Sequence, residues 1–119
     1  MKIQKKNLTP IDSETFKTKI KFKRRNIALT LTNETASFDD TFALANTILE
    51  ELKTYEDKAR KVLLDDHVTL EKGQKLVLNS IEVGEEKYVS FIYNFMDGAP
   101  FPVHTFFVQS FDKGQSFEA

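Results

Sequence analysis

Phe16, Thr18, Ile20 and Phe22 alternate with Lys17, Lys19, Lys21 and Lys23, the period-two pattern of a strand with one buried and one solvated face. A polar break at Arg24-Arg25-Asn26 precedes a second alternating run, Ile27 to Thr32. Together the two runs predict an antiparallel hairpin, although the Asn-Gly pair of a tight turn is missing. The period then changes. Ser37 is placed to cap a helix, with Asp40 at the capping-box position and Asp39 and Asp40 at the positive end of the helix dipole. From there Phe38, Phe42, Ala45, Leu49, Leu52, Ala59 and Leu63 recur on one side of a helix, with Ile48 and Val62 widening the stripe, and the helix is predicted to run to about Asp65. Glu56 falls inside that stripe. Because an unpaired carboxylate in a core is costly, we expect a break near Tyr55-Glu56-Asp57, or an uncovered end where Glu56 pairs with Arg60 one turn later.

Further along, Leu76, Leu78, Ser80 and Glu82 alternate with Val77, Ile81 and Val83 in a strand whose inward phase cannot be read. Tyr88 to Phe95 is apolar on both faces near its middle, as in a central strand covered by the helix on one side. Asp97-Gly98-Ala99-Pro100 is a turn. His104 to Phe111 returns as a strand that Asp112-Lys113-Gly114 ends. The predicted architecture is a single α+β domain over residues 1–119, a two-layer sandwich made of an N-terminal β-hairpin, a long helix or helix pair, and an antiparallel β-meander.

Composition narrows the chemistry. The 119 residues are 40% hydrophobic with 11 Phe, enough for one core. Without Cys, disulfides, thiolate nucleophiles and cysteine metal sites are excluded. Met1 to Lys6 is basic but no apolar stretch follows it, and no run approaches the roughly 20 apolar residues of a bilayer span. The expectation is a soluble, cytoplasmic protein with no membrane partner. Four Gly leave no room for a Walker sequence or a dinucleotide fingerprint. His67 and His104 lie on different elements without zinc-motif spacing. No metal, cofactor or catalytic residue is therefore expected. His104 could pair with Asp97, but no nucleophile stands at a recognisable spacing, and a histidine bonded to loop backbone accounts for it more simply.

Charge is segregated. Residues 1–30 hold nine Lys/Arg against two Asp/Glu, and residues 31–119 hold eight against sixteen. The basic face Lys17, Lys19, Lys21, Lys23, Arg24 and Arg25 could meet nucleic-acid phosphates. A lysine-bearing strand can equally be a solvated edge that discourages edge-to-edge pairing. Because Phe16 and Phe22 fall on its buried phase, no exposed aromatic is interleaved with the charge. A solvated edge ranks first, a protein partner second and nucleic acid third. Glu50, Glu51, Asp57 and Asp65 share the helix side away from the stripe with Lys58 and Lys61, an ordinary solvated face. Asp65 and Asp66 with Glu82, Glu85 and Glu86 could instead present carboxylates to a basic protein, such as a nuclease-type toxin. Tight binding would also need aromatic anchors such as Tyr55, Tyr88 or Phe101.

The order Leu78-Asn79-Ser80-Ile81, an aromatic strand ending Ile92-Tyr93, a loop leading to His104, then Phe106-Phe107-Val108 and Asp112-Lys113-Gly114 resembles the C-terminal half of a group of small bacterial uncharacterised-domain proteins. Proteins of that kind are often found among the immunity proteins of polymorphic-toxin and contact-dependent growth inhibition systems. This chain differs in lacking Trp. The resemblance implies a cytoplasmic, non-enzymatic protein that neutralises a cognate toxin by direct binding, with no catalytic residues to carry over. The expected partner-binding residues are Asp65, Asp66, Glu82, Glu85, Glu86, Tyr88 and Phe101. The alternative is a nucleic-acid-associated accessory module using the Lys17 to Arg25 face.

Overall fold

The computed structural model describes residues 1–33 and 38–119. After a short 3-10 turn at Lys5–Asn7 come β1 (Thr9–Pro10), β2 (Thr15–Phe22) and β3 (Arg25–Thr32), then α1 (Phe38–Glu50) and α2 (Leu52–Asp66), then β4 (Gln74–Gly84), β5 (Val89–Asp97) and β6 (His104–Ser110). All six strands form one sheet in chain order. Neighbours pair antiparallel except β3 and β4, which run parallel because the helix pair carries the chain back to the starting end of the sheet. The α+β architecture of hairpin, helix pair and meander is the one the sequence predicts. The cap assigned to Ser37 lies outside the described residues.

One face of the sheet carries the core. Ile20, Ile27, Leu29, Leu31, Ile81, Val83, Val89, Phe91, Tyr93 and Val108 are buried there together with Ala45, Ile48, Leu49, Leu52, Ala59 and Leu63 of the helices. The chain ends pack on the same side. The Ile3 backbone exchanges hydrogen bonds with the Asn46 side chain of α1 at 2.8 and 3.2 Å, and Phe117 meets Phe91 edge-on at 5.5 Å. Among the described residues, no element covers the opposite face.

Three local features differ from the sequence reading. The helix breaks at Glu51, whose φ of −120° and ψ of 37° leave the helical region, and not near Glu56. The apolar stripe therefore restarts in α2 as Leu52, Glu56, Ala59 and Leu63, all buried, so the carboxylate lies under the helix and is paired there. The hairpin turn is Lys23-Arg24, with Arg25 and Asn26 already in β3. Both turn residues have positive φ, 49° and 66°, as a two-residue turn of right-handed twist requires, here met without Gly or Asn. In β4 the pairing with β5 shifts between Leu78 and Ser80. The extra residue, Asn79, reverses the alternation, so Leu76 and Leu78 point to the core and then Ile81 and Val83 do. That bulge is why the inward phase of β4 could not be read from its pattern.

Candidate binding surface

Strand register defines the uncovered face. Side chains directly opposite one another in a sheet share a face, so Lys17, Thr30, Glu82, Ser90 and Gln109 form one row across five strands. Lys19, Ala28, Ser80, Ile92 and Phe107 form the next. Each row begins at an exposed lysine on β2, crosses Thr30 and Glu82 or Ala28 and Ser80 on β3 and β4, and ends at an amide or aromatic group on β6. At about 4.8 Å per strand, Lys19 and Phe107 stand roughly 19 Å apart. The β6 side is the apolar one. Phe107 is 53% exposed and Phe111 56%, and Phe111 stacks against Tyr88 at 5.5 Å. Gln109 donates to the Tyr88 hydroxyl at 3.0 Å, and Thr105 donates to Asn94 at 3.2 Å. Ser90 lies at the floor of this face, fully buried, and its hydroxyl has no hydrogen-bond partner.

The residues singled out from the sequence do not form one site. Lys17, Lys19 and Lys21 line the uncovered face, but Lys23 turns to the helix side and reaches Glu56 at 3.1 Å. Arg24 occupies the turn, and Arg25, opposite Phe22, belongs to the helix side. The acidic set is also divided. Asp65 and Asp66 close α2 ahead of β4, with Asp65 held by Lys61 at 2.5 Å, whereas Glu85 and Glu86 follow the last residue of β4. The eleven-residue strand between them separates the two groups by roughly 30 Å at 3.3 Å per residue. Glu82 and Tyr88 do belong to the uncovered face, and Phe101 is 67% exposed in the β5–β6 connection. His104 is exposed and lies against Phe106, ring centres 4.5 Å apart.

Two other features have chemical content. Beneath α2, the fully buried Glu56 carboxylate accepts from Arg60 Nε at 3.0 Å, Lys23 Nζ at 3.1 Å and the Tyr93 hydroxyl at 3.1 Å. Arg60 also donates to the Leu76 carbonyl at 2.7 Å. Burial first, and then the Glu56 charge, pushes the Tyr93 phenol far above its ordinary range, which keeps it a proton donor. The network ties α2 to the β2–β3 turn and to β4 and β5, and both Glu56 oxygens are engaged within it, so it is a structural lock. Separately, a groove of about 730 Å³ runs between α1 and the β4–β5 loop, bordered by Asp40, Thr47, Tyr55, Glu86, Lys87 and Lys113. Its rim mixes both charge signs. Among the described residues, no three His, Cys, Asp or Glu side chains are grouped to hold a metal ion, and no helix is long and apolar enough to cross a membrane.

Sequence reasoning named Tyr88 and Phe101 but missed Phe107, Gln109 and Phe111, because which residues share a face across five strands depends on register. One signal was available. Residues 98–111 contain no Asp, Glu, Lys or Arg, in a chain that is 29% charged, and that run supplies Phe101, Phe107, Gln109 and Phe111. No family model, no curated protein and no solved structure matches this chain.

Proposed function

We propose that the chain is a non-catalytic binding protein that docks a protein partner on the uncovered face of its sheet, and that the partner is a toxin it neutralises. The observation that carries the reading is the face itself: apolar and aromatic side chains on β5 and β6, small residues in the middle, and a lysine row on β2. Apolar surface flanked by charge is the anatomy of a recognition patch. Small, half-buried residues such as Ala28, Thr30 and Ser80 leave room for a partner's side chains to enter. Toxin neutralisation is the role the C-terminal resemblance implies. The lysine row fits carboxylates on the partner's docking surface, while Glu82 fits a single cation beside them.

The test is calorimetric titration with the product of the gene immediately upstream, purified as an inactivated variant. Wild-type protein should bind it one to one. Charge reversal of Lys17, Lys19 and Lys21 together, or Phe111→Asp beside Tyr88, should weaken binding by tenfold or more, equivalent to about 1.4 kcal/mol. Binding unchanged by both variants would place the site elsewhere. A second reading draws on the same face, because lysines with exposed aromatics are also how sheets hold single-stranded nucleic acid. Against it, Phe107 and Tyr88 stand three or four strands away from the lysines. It requires a gel shift of labelled RNA or DNA that is lost in the lysine variant and falls steeply with salt.

A further inference from the structure

Charge on the uncovered face is ordered along the strands. Lys17, Lys19 and Lys21 are exposed and stand two residues apart on β2, so they follow one another at about 6.7 Å and span roughly 13 Å. Among the described residues none of the three takes part in an ion pair. Neither do Glu82 and Lys75, which mark the two ends of the face on β4. Glu82 shares the row of Lys17. Lys75, opposite Met96, lies near the start of β4, at the Lys21 end, because β4 runs parallel to β3 and antiparallel to β2.

Across the strands the face is a trough. Lysines wall it on β2, and Phe107, 53% exposed, walls it on β6. Between them the floor is low, with Ala28 and Ser80 half-buried and Ile92 buried. Of the roughly 19 Å between the two walls, the side chains that form them leave about the 10–12 Å diameter of one α-helix. Backbone satisfaction selects the same element. The strands of the floor spend their hydrogen bonds on one another, so a single strand or a loop laid over them would bury unpaired N–H and C=O groups. A helix satisfies its own and packs on a sheet as a second layer, as α1 and α2 do on the other face.

Given a protein partner on this face, as proposed above, we infer that it docks through one amphipathic α-helix lying along β3 and β4. Residues four apart on a helix rise about 6.0 Å per step, close to the spacing of the lysines. Carboxylates at i, i+4 and i+8 therefore each meet one of Lys17, Lys19 and Lys21, while the apolar flank of the helix covers Ile92 and Phe107. Direction follows from the two ends. With its N-terminus at the Lys17 end, the positive end of the helix dipole faces Glu82 and the negative end faces Lys75; the reverse direction sets each end against its own sign. The roughly 20 Å from Glu82 to Lys75 along β4 corresponds to a helix of about 13 residues.

The experiment uses the full chain and the inactivated product of the gene immediately upstream. Hydrogen exchange read by mass spectrometry finds the partner segment that is protected in the complex. Calorimetric titrations then set its register: Lys17→Glu, Lys19→Glu and Lys21→Glu are each paired with partner variants in which one acidic residue of that segment is replaced by lysine. The expected result is one protected helix, a loss of affinity of roughly threefold for each reversal, and recovery only in matching order, the first carboxylate with Lys17 and the last with Lys21. All three lysines are exposed, so the variants should keep the wild-type circular dichroism spectrum; if one fails to fold, the other two still fix the order. Protection of a partner strand or loop, recovery in no pair, or recovery in the reverse order overturns the helix and leaves a docking protein intact. Absence of any complex overturns the docking reading and the helix with it.

Discussion

Truncating Glu56 should destabilise the protein more than removing any ion pair on its surface. Glu56→Ala deletes a fully buried carboxylate with three side-chain donors and leaves those donors behind. Lys23 is 52% exposed on its side chain and returns to water, so its share is under about 1 kcal/mol. Arg60 is only 25% exposed. It keeps the Leu76 carbonyl but loses the charge that balanced it under the helix. The Tyr93 hydroxyl falls back on the Glu56 carbonyl, 3.3 Å away. Breaking a buried pair from one side costs about 3–5 kcal/mol, and the partial exposure of both cations puts this case near 3. Against a total stability of roughly 5–15 kcal/mol, that lowers the melting temperature by about 10 °C. Urea titration followed by circular dichroism, with an unchanged m-value, gives the number directly. Glu56→Gln keeps the shape and one acceptor and should fall between wild type and Glu56→Ala, with Lys23→Ala closer to wild type. A loss below about 1 kcal/mol for Glu56→Ala, the range of a solvated surface pair, would refute the claim that this network locks α2 to the sheet.

Three further outcomes are expected. Gly114 has a φ of 84°, and an added Cβ would stand 2.8 Å from the Tyr55 ring, so Gly114→Ala should cost about 1–3 kcal/mol in a denaturant titration. Arg24 holds a φ of 66° in the hairpin turn; Arg24→Gly should stabilise by about 0.5–1 kcal/mol, measured the same way, because the strain is removed while Lys23 still reaches Glu56. Hydrogen bonds from Ser116 and Ser110 hold the Asp112 carboxyl down at about 2, against an ordinary 3.8. A lowered folded value means the tail is held fully above the ordinary value and released as pH falls through the folded one. The Phe117 to Phe91 contact, followed by NMR, should therefore persist at pH 5 and weaken between about 4 and 2, and Asp112→Asn should abolish that acid transition.

How much could be read in advance depended on whether the cause was local. The Phe16 to Phe22 alternation, the helical stripe from Phe38 to Leu63 and the aromatic strand around Phe91 each carry their burial pattern in neighbouring residues, and each was legible. Glu56 was legible in part: its place in the stripe and its pairing with Arg60 were expected, but its full burial and the helix break at Glu51, which no Pro or Gly marks, were not. Nor was the phase of β4, since Asn79 looks like any polar strand residue until its pairing with β5 shows the bulge. The basic set from Lys17 to Arg25 is continuous along the chain and discontinuous in space, because the turn at Lys23-Arg24 sends Lys23 to the helix side while Lys17, Lys19 and Lys21 stay on the uncovered face.

The sequence by itself determined the class of fold, the single core, the absence of thiol chemistry and of phosphate-loop motifs, and the uncharged run from Gly98 to Phe111. These follow from composition and from periods of two and 3.6 residues, which act over short distances along the chain. Only the tertiary structure decided that β3 and β4 pair in parallel, that both helices and both chain ends gather on one face, and that Lys19 and Phe107 share a row on the other. Those outcomes come from register between strands far apart in sequence, where each pairing is selected by the burial it achieves across the whole sheet.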